Sequence, residues 1–434
     1  MLWIKNGRVI NPETKYDERV NILINEGKVS KITSKTINEL LNEVKNCKMD
    51  EIQTIDAEGY IVAPGLVDVH VHFRDPGFTY KEDIETGARA ALKGGFTSVV
   101  LMANTKPTVD NEETLTYVLE KGAKTDLHVH SCAAVTKGLG GKEMVDMDML
   151  LAKGAVGFTD DGIPIMDEEL LETAMKKVAE LGVPVSLHEE DASLITNNGI
   201  NRGKASEHYG IGGSPREAEI SLIERDLEVA LRTGAILNVQ HISSKEGVEL
   251  VRQAKKRSDK GNIHAEATPH HFSMNEEAVI KHGTLAKMNP PLREEADRRA
   301  IIEGLKDGTI DIIATDHAPH SAEEKAKPIT EAPSGIIGLE TALSLGITNL
   351  VQTGELSMSE LLAPMTCNPA KMYHLNAGTI EEGKPADIVI FSSDEEWTVG
   401  DYESKSTNSP FTEMNLKGVV KYTIVDGKIV YTQS

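Results

Sequence analysis

Cysteine, aromatic residues and long apolar runs are all scarce in this chain of 434 residues. Its three cysteines, Cys47, Cys132 and Cys367, are far apart and form no CxxC pair, so they offer no disulfide framework. No apolar run approaches the roughly 18 residues that a membrane-spanning helix needs. The first residues also lack the apolar segment and small-residue cleavage site of a signal peptide. These absences predict a cytoplasmic protein without a membrane partner.

Positive charge is in short supply too, because 46 Lys and Arg residues stand against 68 Asp and Glu residues. The resulting net charge of -22 would repel nucleic acid phosphates and anionic membranes, so neither is expected as a partner. A negatively charged substrate would therefore have to be captured by local cations. A hydrophobic content of 39% is typical of a globular enzyme, and the length suits a large barrel with an accessory module.

Strand-like alternation of apolar and polar residues occurs near both ends of the chain, at residues 2–10, 20–29, 386–391 and 421–431. Two short β segments cannot each bury a face alone, so we expect the two ends to pair into one composite β-sandwich. The predicted organisation is a small β domain formed by residues 1–61 and 373–434, with residues 62–372 inserted as a single domain.

The inserted domain alternates strand-like runs with helical stretches, which is the pattern of βα units. The candidate strands are residues 66–72, 97–102, 127–131, 155–159, 183–188, 236–241, 263–267 and 310–315. Eight such units over roughly 310 residues predict an α/β fold of the (β/α)8 TIM-barrel type, with its active site at the C-terminal strand ends. One helix is expected to begin at a capping box of Ser214, Pro215 and Glu217 and to end before Gly234.

The sequence HVHFR at residues 70–74 lies at the end of the first candidate strand. Side chains alternate faces along a strand, so His70, His72 and Arg74 should point the same way. Two imidazoles beside a guanidinium indicate a metal site with an anion clamp. An HxH alone is weak evidence, because residues 128–130 repeat the spacing, so further ligands are needed.

The other candidate strands supply further polar residues at their C-terminal ends: Asn104, Asp160, Asp161, His188, His241, Asp316 and His320. In a barrel these ends meet in one ring, and their nitrogen and oxygen donors suit Zn2+. The donors exceed the needs of one tetrahedral zinc ion, so we expect a paired-metal site whose shared hydroxide is the nucleophile. Spacing alone leaves open whether Asp160 or Asp161 is a ligand, and whether one or two metals bind.

Seven motifs combine in this chain: DVHVHFRDPG at 68–77, GGFT at 94–97, NT at 104–105, FTDDG at 158–162, NPPLR at 289–293, ATDHAPH at 314–320 and GIIGLET at 335–341. Together they resemble the type I dihydroorotases of the amidohydrolase superfamily, and the resemblance covers almost the whole chain. It implies a metal-dependent barrel with a composite β domain and two Zn2+ ions per subunit. It also implies the reversible cyclisation of N-carbamoyl-L-aspartate to L-dihydroorotate in de novo pyrimidine (UMP) biosynthesis.

The resemblance assigns roles by matching position. The implied metal ligands are His70, His72, Asp161, His188, His241 and Asp316. The implied substrate-binding residues are His72, Arg74, Asn104, Asn289, His320, Ser334 and Gly335. Asp161 would bridge the metals in place of the carboxylated lysine of related cyclic amidases, and Asp316 would act as general acid and base. Arg74 would hold the substrate carboxylate, because a guanidinium can donate two parallel hydrogen bonds.

Two loops of the predicted barrel have features that bear on the site. Many relatives have proline where this chain has Ala103, so the loop that aims Asn104 loses a fixed φ angle. We expect a modest effect on positioning and no change of reaction. The segment of residues 318–335 is long for a βα loop and is expected to shape the pocket, while its mobility is not decided by the sequence.

Two other functions remain open. A related cyclic amidase (a dihydropyrimidinase, hydantoinase or allantoinase) would share the barrel and the HxH, but Arg74 and Asp161 argue against it. An inactive dihydroorotase-like scaffold of aspartate transcarbamoylase would be expected to lack several metal ligands, all of which are present here. We also expect a homo-oligomer, a dimer, and the sequence permits association with aspartate transcarbamoylase.

Overall fold

The computed structural model describes residues 1–43 and 52–433. Its strands are β1 (Leu2–Asn11), β2 (Tyr16–Asn25), β3 (Lys28–Thr33), β4 (Gln53–Asp56), β5 (Ile61–Pro64), β6 (Leu66–Val71), β7 (Phe96–Leu101), β8 (His128–Ser131), β9 (Pro184–Leu187), β10 (Ile236–Val239), β11 (Ile263–Ala267), β12 (Ile312–Ile313), β13 (Ile388–Thr398), β14 (Asn415–Val425) and β15 (Lys428–Thr432). Its α-helices are α1 (Ile37–Glu43), α2 (Ile84–Lys93), α3 (Glu112–Gly122), α4 (Met147–Ala152), α5 (Glu168–Leu181), α6 (Lys204–Tyr209), α7 (Arg216–Thr233), α8 (Lys245–Arg257), α9 (Pro269–Ser273), α10 (Glu277–His282), α11 (Glu295–Lys306), α12 (Ala322–Lys325), α13 (Ala342–Gly346), α14 (Met358–Leu362) and α15 (Cys367–Met372).

Strands from both ends of the chain form one eight-stranded sheet. Seven of them follow the order β15-β14-β13-β5-β1-β2-β3, and β4 pairs with β1. The two ends join where β5 runs antiparallel to β13. Ile4, Ile22 and Ile390, from three different strands, are buried in one core of this sheet, so each end depends on the other for burial. The domain boundary predicted at residues 61 and 62 falls inside β5.

The middle of the chain forms a ring of parallel strands. Strands β6, β7 and β8 make one sheet, and β9, β10, β11 and β12 make another. Parallel bridges from Phe158 to Ala133 and Val185 join these sheets on one side, and a parallel bridge from Val71 to His317 joins them on the other. With Phe158 in the place of the fourth strand, the ring has eight members. The fold is therefore the predicted α/β barrel with a small β domain built from both termini.

Six of the eight predicted strands are shorter than the sequence suggested, and the fourth and the eighth differ most. The fourth, expected over residues 155–159, pairs through bridges at Phe158 alone among the described residues. The eighth, expected over residues 310–315, is reduced to the two residues of β12. The backbone N–H of Thr315 donates to the carboxylate of Asp68 at 3.1 Å, so a side chain takes the place of a neighbouring strand. Apolar patterning cannot reveal such a replacement.

The capping box predicted at Ser214 is wrong. Helix α7 begins at Arg216 after Pro215, and no side chain of the described residues caps its N-terminus. The buried hydroxyl of Ser214 donates instead to Oε1 of Glu190 at 3.1 Å, so it is no longer available to the helix. The other end agrees with the prediction, because Gly234 follows α7 with φ +76, a conformation that glycine adopts without Cβ strain.

The two cysteines that the structure describes are buried free thiols, Cys132 and Cys367. Cys47 lies outside the described residues. The Sγ of Cys132 lies 3.5 Å from the hydroxyl oxygen of Tyr373, within the barrel. Across residues 1–43 and 52–433, the helices are all too short or too polar to cross a membrane.

Candidate active site

The C-terminal ends of the barrel strands surround an open cavity of about 470 Å³. Its walls contain eleven of the twelve predicted site residues: His72, Arg74, Asn104, Asp161, His188, His241, Asn289, Asp316, His320, Ser334 and Gly335. His70, the twelfth, is fully buried, and its ring centroid lies 5.4 Å from that of His72. A concave site with convergent polar groups is the usual form of an enzyme active site.

Two carboxylates lie against the histidines of the HxH sequence. Nε2 of His72 lies 3.0 Å from Oδ1 of Asp316 and 3.5 Å from Oδ2 of Asp161. Nε2 of His70 lies 3.4 Å from Oδ1 of Asp161 and 3.5 Å from Oδ1 of Asp316. Donor atoms of His70, His72 and Asp316 all lie within 4.8 Å of one another, a spacing that could hold one metal ion.

A second group of donors combines His70 and Asp161 with His241, again within 4.8 Å. Oδ1 of Asp161 lies 4.0 Å from Nε2 of His241, and Nδ1 of His188 lies 3.0 Å from the same nitrogen. The carboxylate of Asp161 therefore contacts both groups of histidines.

Asn104 sets the orientation of His72. Its Oδ1 lies 2.9 Å from Nδ1 of His72, and its Nδ2 donates to Oδ2 of Asp161 at 2.9 Å. Because an amide oxygen only accepts, Nδ1 of His72 carries the proton, and Nε2 keeps its lone pair for a metal. Both ends of the amide are thus held by the site itself, although Ala103 stands where proline is expected.

The neighbouring aspartates at 160 and 161 have different environments. Oδ1 of Asp160 accepts from the N–H groups of Val135 at 2.7 Å and Thr136 at 3.0 Å, and its other oxygen accepts from the Thr136 hydroxyl. Burial raises the pKa of Asp160 to about 6, against these hydrogen bonds. Burial acts on Asp161 in the same direction, but the charges of His70, His72 and His188 together outweigh it and hold the pKa of Asp161 far below its usual value. The geometry therefore favours Asp161 as the metal ligand.

An unpartnered buried nitrogen supports metal binding at this centre. Nε2 of His70 has no hydrogen-bond partner among the described residues, although the atom is buried. Leaving a buried polar atom unpaired costs about 1–3 kcal/mol, so such an atom indicates a position where a ligand binds. Imidazole and carboxylate donors together suit Zn2+ and other divalent transition metals. The residues present at this centre thus fit a divalent metal.

Three residues of the cavity wall have a strained backbone. Arg74 has φ +59, His241 has φ +33 and Asp316 has φ +47, a left-handed region that residues other than glycine rarely adopt. Each such residue costs of order 1–3 kcal/mol and persists only where surrounding contacts fix it. All three side chains line the cavity, so the strain accompanies the aiming of site groups.

Arg74 brings a partly buried positive charge to the cavity wall. Its Nε donates to the carbonyl oxygen of Pro319 at 3.3 Å, while Nη1 makes no hydrogen bond with the described residues. Burial lowers the pKa of Arg74, and the charges of Asp316 and Asp161 oppose that shift. The guanidinium therefore keeps donors free for the carboxylate of a ligand.

The ring of His320 lies beside Arg74, with its Nε2 3.5 Å from Nη2 of the guanidinium. Its Nε2 donates to the carbonyl oxygen of Ser334 at 2.8 Å, and its Nδ1 accepts from the ammonium group of Lys81 at 3.3 Å. Burial, reinforced by the charges of Arg74 and Lys81, holds the pKa of His320 far below its usual value. A neutral ring at this position allows two cations to lie beside it.

The loop of residues 318–335 is anchored by two buried lysines. The ammonium group of Lys287 donates to two loop carbonyls at 2.7 Å each, and that of Lys325 donates to two more at 2.9 and 3.0 Å. The four carbonyls belong to Ile329, Ala332, Pro333 and Gly335. Burial, with the charge of Lys287, lowers the pKa of Lys325 to about 7. Bonds to carbonyl oxygens are what allow the two ammonium groups to be buried.

Ser334 and Gly335 present backbone to the cavity. The hydroxyl of Ser334 donates to Oδ1 of Asn198 at 2.9 Å. Gly335 has φ +125, and a Cβ added there would lie 2.7 Å from Cβ of Ala318. Glycine is therefore required at position 335, and its bare backbone can approach a ligand closely.

Asn289 lies beside the second histidine pair. Its Nδ2 is 3.3 Å from Nε2 of His188, which is also 3.4 Å from Oε2 of Glu190. Oδ1 of Asn289 is buried and makes no hydrogen bond within the part of the chain that the structure describes. An acceptor therefore remains for a ligand.

Glu266 is a site residue that sequence reasoning missed. It is fully buried on β11, and its Oε2 lies 2.9 Å from Nδ1 of His70. A signal was present, because Glu266 is the single acidic residue of the candidate strand at 263–267. The anchors Lys287 and Lys325 were missed as well, and nothing in the sequence distinguishes them from surface lysines.

Comparison with known proteins places the chain in a family. The model of the amidohydrolase family matches residues 61–430. A dihydroorotase of Clostridioides difficile (strain 630) is 55% identical over 432 residues, which cover 99% of this chain and 100% of that protein. The chain belongs to the dihydroorotase group of the amidohydrolase family. A second dihydroorotase, from Clostridium acetobutylicum, is 52% identical over 99% of both chains.

Solved structures of two other proteins share the fold of this chain. The L-hydantoinase (dihydropyrimidinase) from Arthrobacter aurescens superposes with a TM-score of 0.87 at 25% identity, over 100% of this chain and 96% of that one. The dihydropyrimidinase from Brevibacillus agri NCHU1002 gives 0.83 at 23% identity over 99% and 95%, a likeness of fold alone. Membership of the amidohydrolase family, with the buried His and Asp groups, makes the chain a metal-dependent enzyme with a small-molecule substrate.

Proposed function

We propose that two Zn2+ ions at this centre support the reversible cyclisation of N-carbamoyl-L-aspartate to L-dihydroorotate, the dihydroorotase step of de novo pyrimidine (UMP) biosynthesis. The observation that carries the proposal is the position of Arg74, in the same cavity as the His and Asp donors. A guanidinium there can bind the substrate carboxylate. The metal ligands alone would not select a substrate that carries a carboxylate. The 55% identity to a dihydroorotase over the whole chain supports the same reaction.

The proposed metal ligands are divided between two ions. One ion would be held by His70, His72 and Asp316, the other by His188 and His241, and Asp161 would contact both. The distances of 3.4 and 4.0 Å from Oδ1 of Asp161 to His70 and His241 support this division. Bound divalent ions supply Lewis-acid chemistry, because they polarise a carbonyl oxygen and make water a stronger nucleophile near neutral pH.

Asp316 is the proposed general acid and base. Its Oδ1 faces His72 at 3.0 Å, while Oδ2 makes no hydrogen bond with the described residues and is free to accept a proton. In hydrolysis Asp316 would take a proton from the attacking water and deliver it to the leaving ring nitrogen. In cyclisation it would remove a proton from the carbamoyl nitrogen. One carboxylate thus serves both directions.

Substrate binding is proposed to use the remaining groups of the cavity wall. Arg74 would take the carboxylate, with Asn104 and His320 beside it. Nδ2 and Oδ1 of Asn104 are bonded to Asp161 and His72, so we infer that Asn104 acts mainly by holding those groups in place. The free Oδ1 of Asn289 can accept a hydrogen bond from the ring or carbamoyl N–H. His72, Ser334 and Gly335 complete the proposed contacts, the last two through their backbone.

Replacing Asp160 and Asp161 one at a time should show which of them is a metal ligand and which has a structural role. We expect Asp161→Ala to lower the bound metal at least twofold, because the group that contacts both sets of histidines is lost. Asp160→Asn should keep the metal content and destabilise the fold by about 1–3 kcal/mol, since Asp160 accepts buried hydrogen bonds. Metal-to-protein ratios and thermal melts of both variants test this. Loss of metal in Asp160→Asn with retention in Asp161→Ala would reverse the assignment.

A related cyclic amidase is the nearest competing function, since the L-hydantoinase superposes with a TM-score of 0.87. Its 25% identity is far below the 55% shared with the dihydroorotase, and Arg74 favours a substrate with a carboxylate. Incubation of the purified protein with dihydroorotate, dihydrouracil and allantoin tests the proposal. We expect turnover of dihydroorotate alone. Turnover of either of the others, with none of dihydroorotate, would reject it.

An inactive scaffold for aspartate transcarbamoylase is the other alternative. All six proposed ligands are near one another in and beneath the cavity, which favours an active enzyme. A homodimer, association with aspartate transcarbamoylase and a cytoplasmic location remain predictions. Metal analysis beside the dihydroorotate assay discriminates between enzyme and scaffold, because a scaffold would bind no zinc and stay inactive after zinc is added.

A further inference from the structure

His70, at the centre of the site, lies within hydrogen-bond distance of a buried carboxylate. Oε2 of Glu266 lies 2.9 Å from Nδ1 of His70, and both residues are fully buried. A carboxylate at this distance accepts a hydrogen bond, so Nδ1 of His70 carries the proton. Nε2 is then the nitrogen with the lone pair, and it lies 3.4 Å from Asp161 and 3.5 Å from Asp316.

Glu266 is itself held in place by a polar network inside the barrel. Its Oε1 accepts from Nδ2 of Asn238 at 2.5 Å. The same nitrogen donates to the hydroxyl oxygen of Ser186 at 3.0 Å, which lies 2.7 Å from the hydroxyl of Tyr373. All four side chains are buried, so the carboxylate has little freedom to move away from His70. Each of the four side chains makes at least one hydrogen bond in this network, and Oδ1 of Asn238 is its one buried atom without a partner among the described residues.

We infer that Glu266 is a positioning residue for the metal centre: its hydrogen bond to Nδ1 fixes the tautomer and ring plane of His70, and its negative charge strengthens Nε2 as a metal donor. This inference rests on the proposed role of His70 as a metal ligand. A carboxylate behind a metal-binding histidine is a recurrent means of raising metal affinity, and its loss costs about 10–100-fold in affinity or activity.

The chain offers a matched control on the same strand. Nδ1 of His264, also on β11, lies 2.8 Å from Oδ2 of Asp311. This pair has the same histidine–carboxylate geometry, but neither residue lines the cavity or belongs to the groups that could hold a metal. Asp311→Asn therefore removes the negative charge beside a histidine without touching the proposed centre.

The test measures metal affinity rather than turnover. We expect Glu266→Gln to weaken Zn2+ binding about 10–100-fold in competition with a chromophoric chelator, and to change the visible absorption of the Co2+-substituted protein. Asp311→Asn should bind Zn2+ as tightly as the natural chain. Unchanged Zn2+ affinity and an unchanged Co2+ spectrum in a folded Glu266→Gln protein would overturn the inference.

Two further variants keep the outcome interpretable. The first is the double variant Glu266→Gln with Asn238→Asp, which reverses the polarity of the hydrogen bond between these positions. The new amide at position 266 can then donate to the new carboxylate at position 238, while the amide oxygen still accepts from His70. We expect this pair to regain part of the lost affinity, and it replaces the single variant if that one does not fold. No recovery, with the fold retained, would contradict positioning through this hydrogen bond.

A His70→Asn variant separates the inference from the function on which it rests. If His70→Asn binds metal normally, the proposed metal centre is wrong. If His70→Asn loses metal while Glu266→Gln does not, the centre is right and only the role of Glu266 fails. Weakening in both variants supports both proposals.

Discussion

Asp316→Ala is expected to abolish turnover in both directions, with a loss on the order of 10³-fold or more in kcat. The variant removes a cavity carboxylate whose Oδ2 makes no hydrogen bond with the described residues. It also removes a proposed metal ligand, 3.0 Å from His72. Both effects act on the chemical step, so the assay should follow dihydroorotate hydrolysis and carbamoyl aspartate cyclisation separately.

Two variants accompany Asp316→Ala. Asp316→Asn keeps the shape of the side chain but cannot take a proton, so it should be nearly as inactive while retaining more metal. Asp394→Asn changes an exposed aspartate of β13 and should leave activity unchanged. A circular dichroism melt shows that each variant is folded. Near-normal rates in a folded Asp316→Asn protein would remove Asp316 from its role as acid and base.

Arg74→Ala is expected to raise KM about 100-fold while kcat falls much less. The guanidinium would donate two charge-assisted hydrogen bonds to the substrate carboxylate, worth together about 3 kcal/mol in an open pocket, which corresponds to roughly 100-fold. An interaction made equally in ground state and transition state appears in KM rather than in kcat. Steady-state kinetics with dihydroorotate measure both constants.

Two control variants accompany Arg74→Ala: one keeps the charge at position 74, and the other removes an arginine far from the cavity. Arg74→Lys keeps one charge without the planar fork and should fall between the natural chain and Arg74→Ala. Arg19→Ala removes an exposed arginine of β2 and should be silent. If Arg74→Ala left both substrate affinity and kcat/KM intact, another group would have to bind the carboxylate.

The architecture was predictable because its signals are local and repeated. Eight apolar runs separated by helical stretches indicated the barrel. The alternation of apolar and polar residues near both ends of the chain indicated a shared sheet, and the pairing of β5 with β13 confirms that sheet. The details that failed depend on tertiary contacts. Ser214 lies in a sequence typical of a helix cap, yet its hydroxyl donates a hydrogen bond to Glu190, which is distant along the chain. The eighth strand is short because Asp68 replaces a strand partner for Thr315.

The candidate site was predictable as a set of residues but not as an arrangement. The spacing of His70, His72 and Arg74 required only the alternation of a strand. Spacing could not separate Asp160 from Asp161, because the difference lies in the loop at 135–136 that binds Asp160. Partners of site residues are harder still, since Glu266 is near His70 only after the barrel closes. The individual roles stay predictions until the variants are measured.

Two buried lysines, Lys287 outside the loop of residues 318–335 and Lys325 within it, limit how this loop can change during evolution. Lys287 and Lys325 bind backbone oxygens, and every residue type has one, so side chains between residues 328 and 333 can change with little penalty. Gly335 is excepted, because its φ of +125 requires glycine. A single inserted or deleted residue would instead carry the four carbonyls out of register with the ammonium groups. Related chains should therefore vary in the composition of this loop while keeping its length.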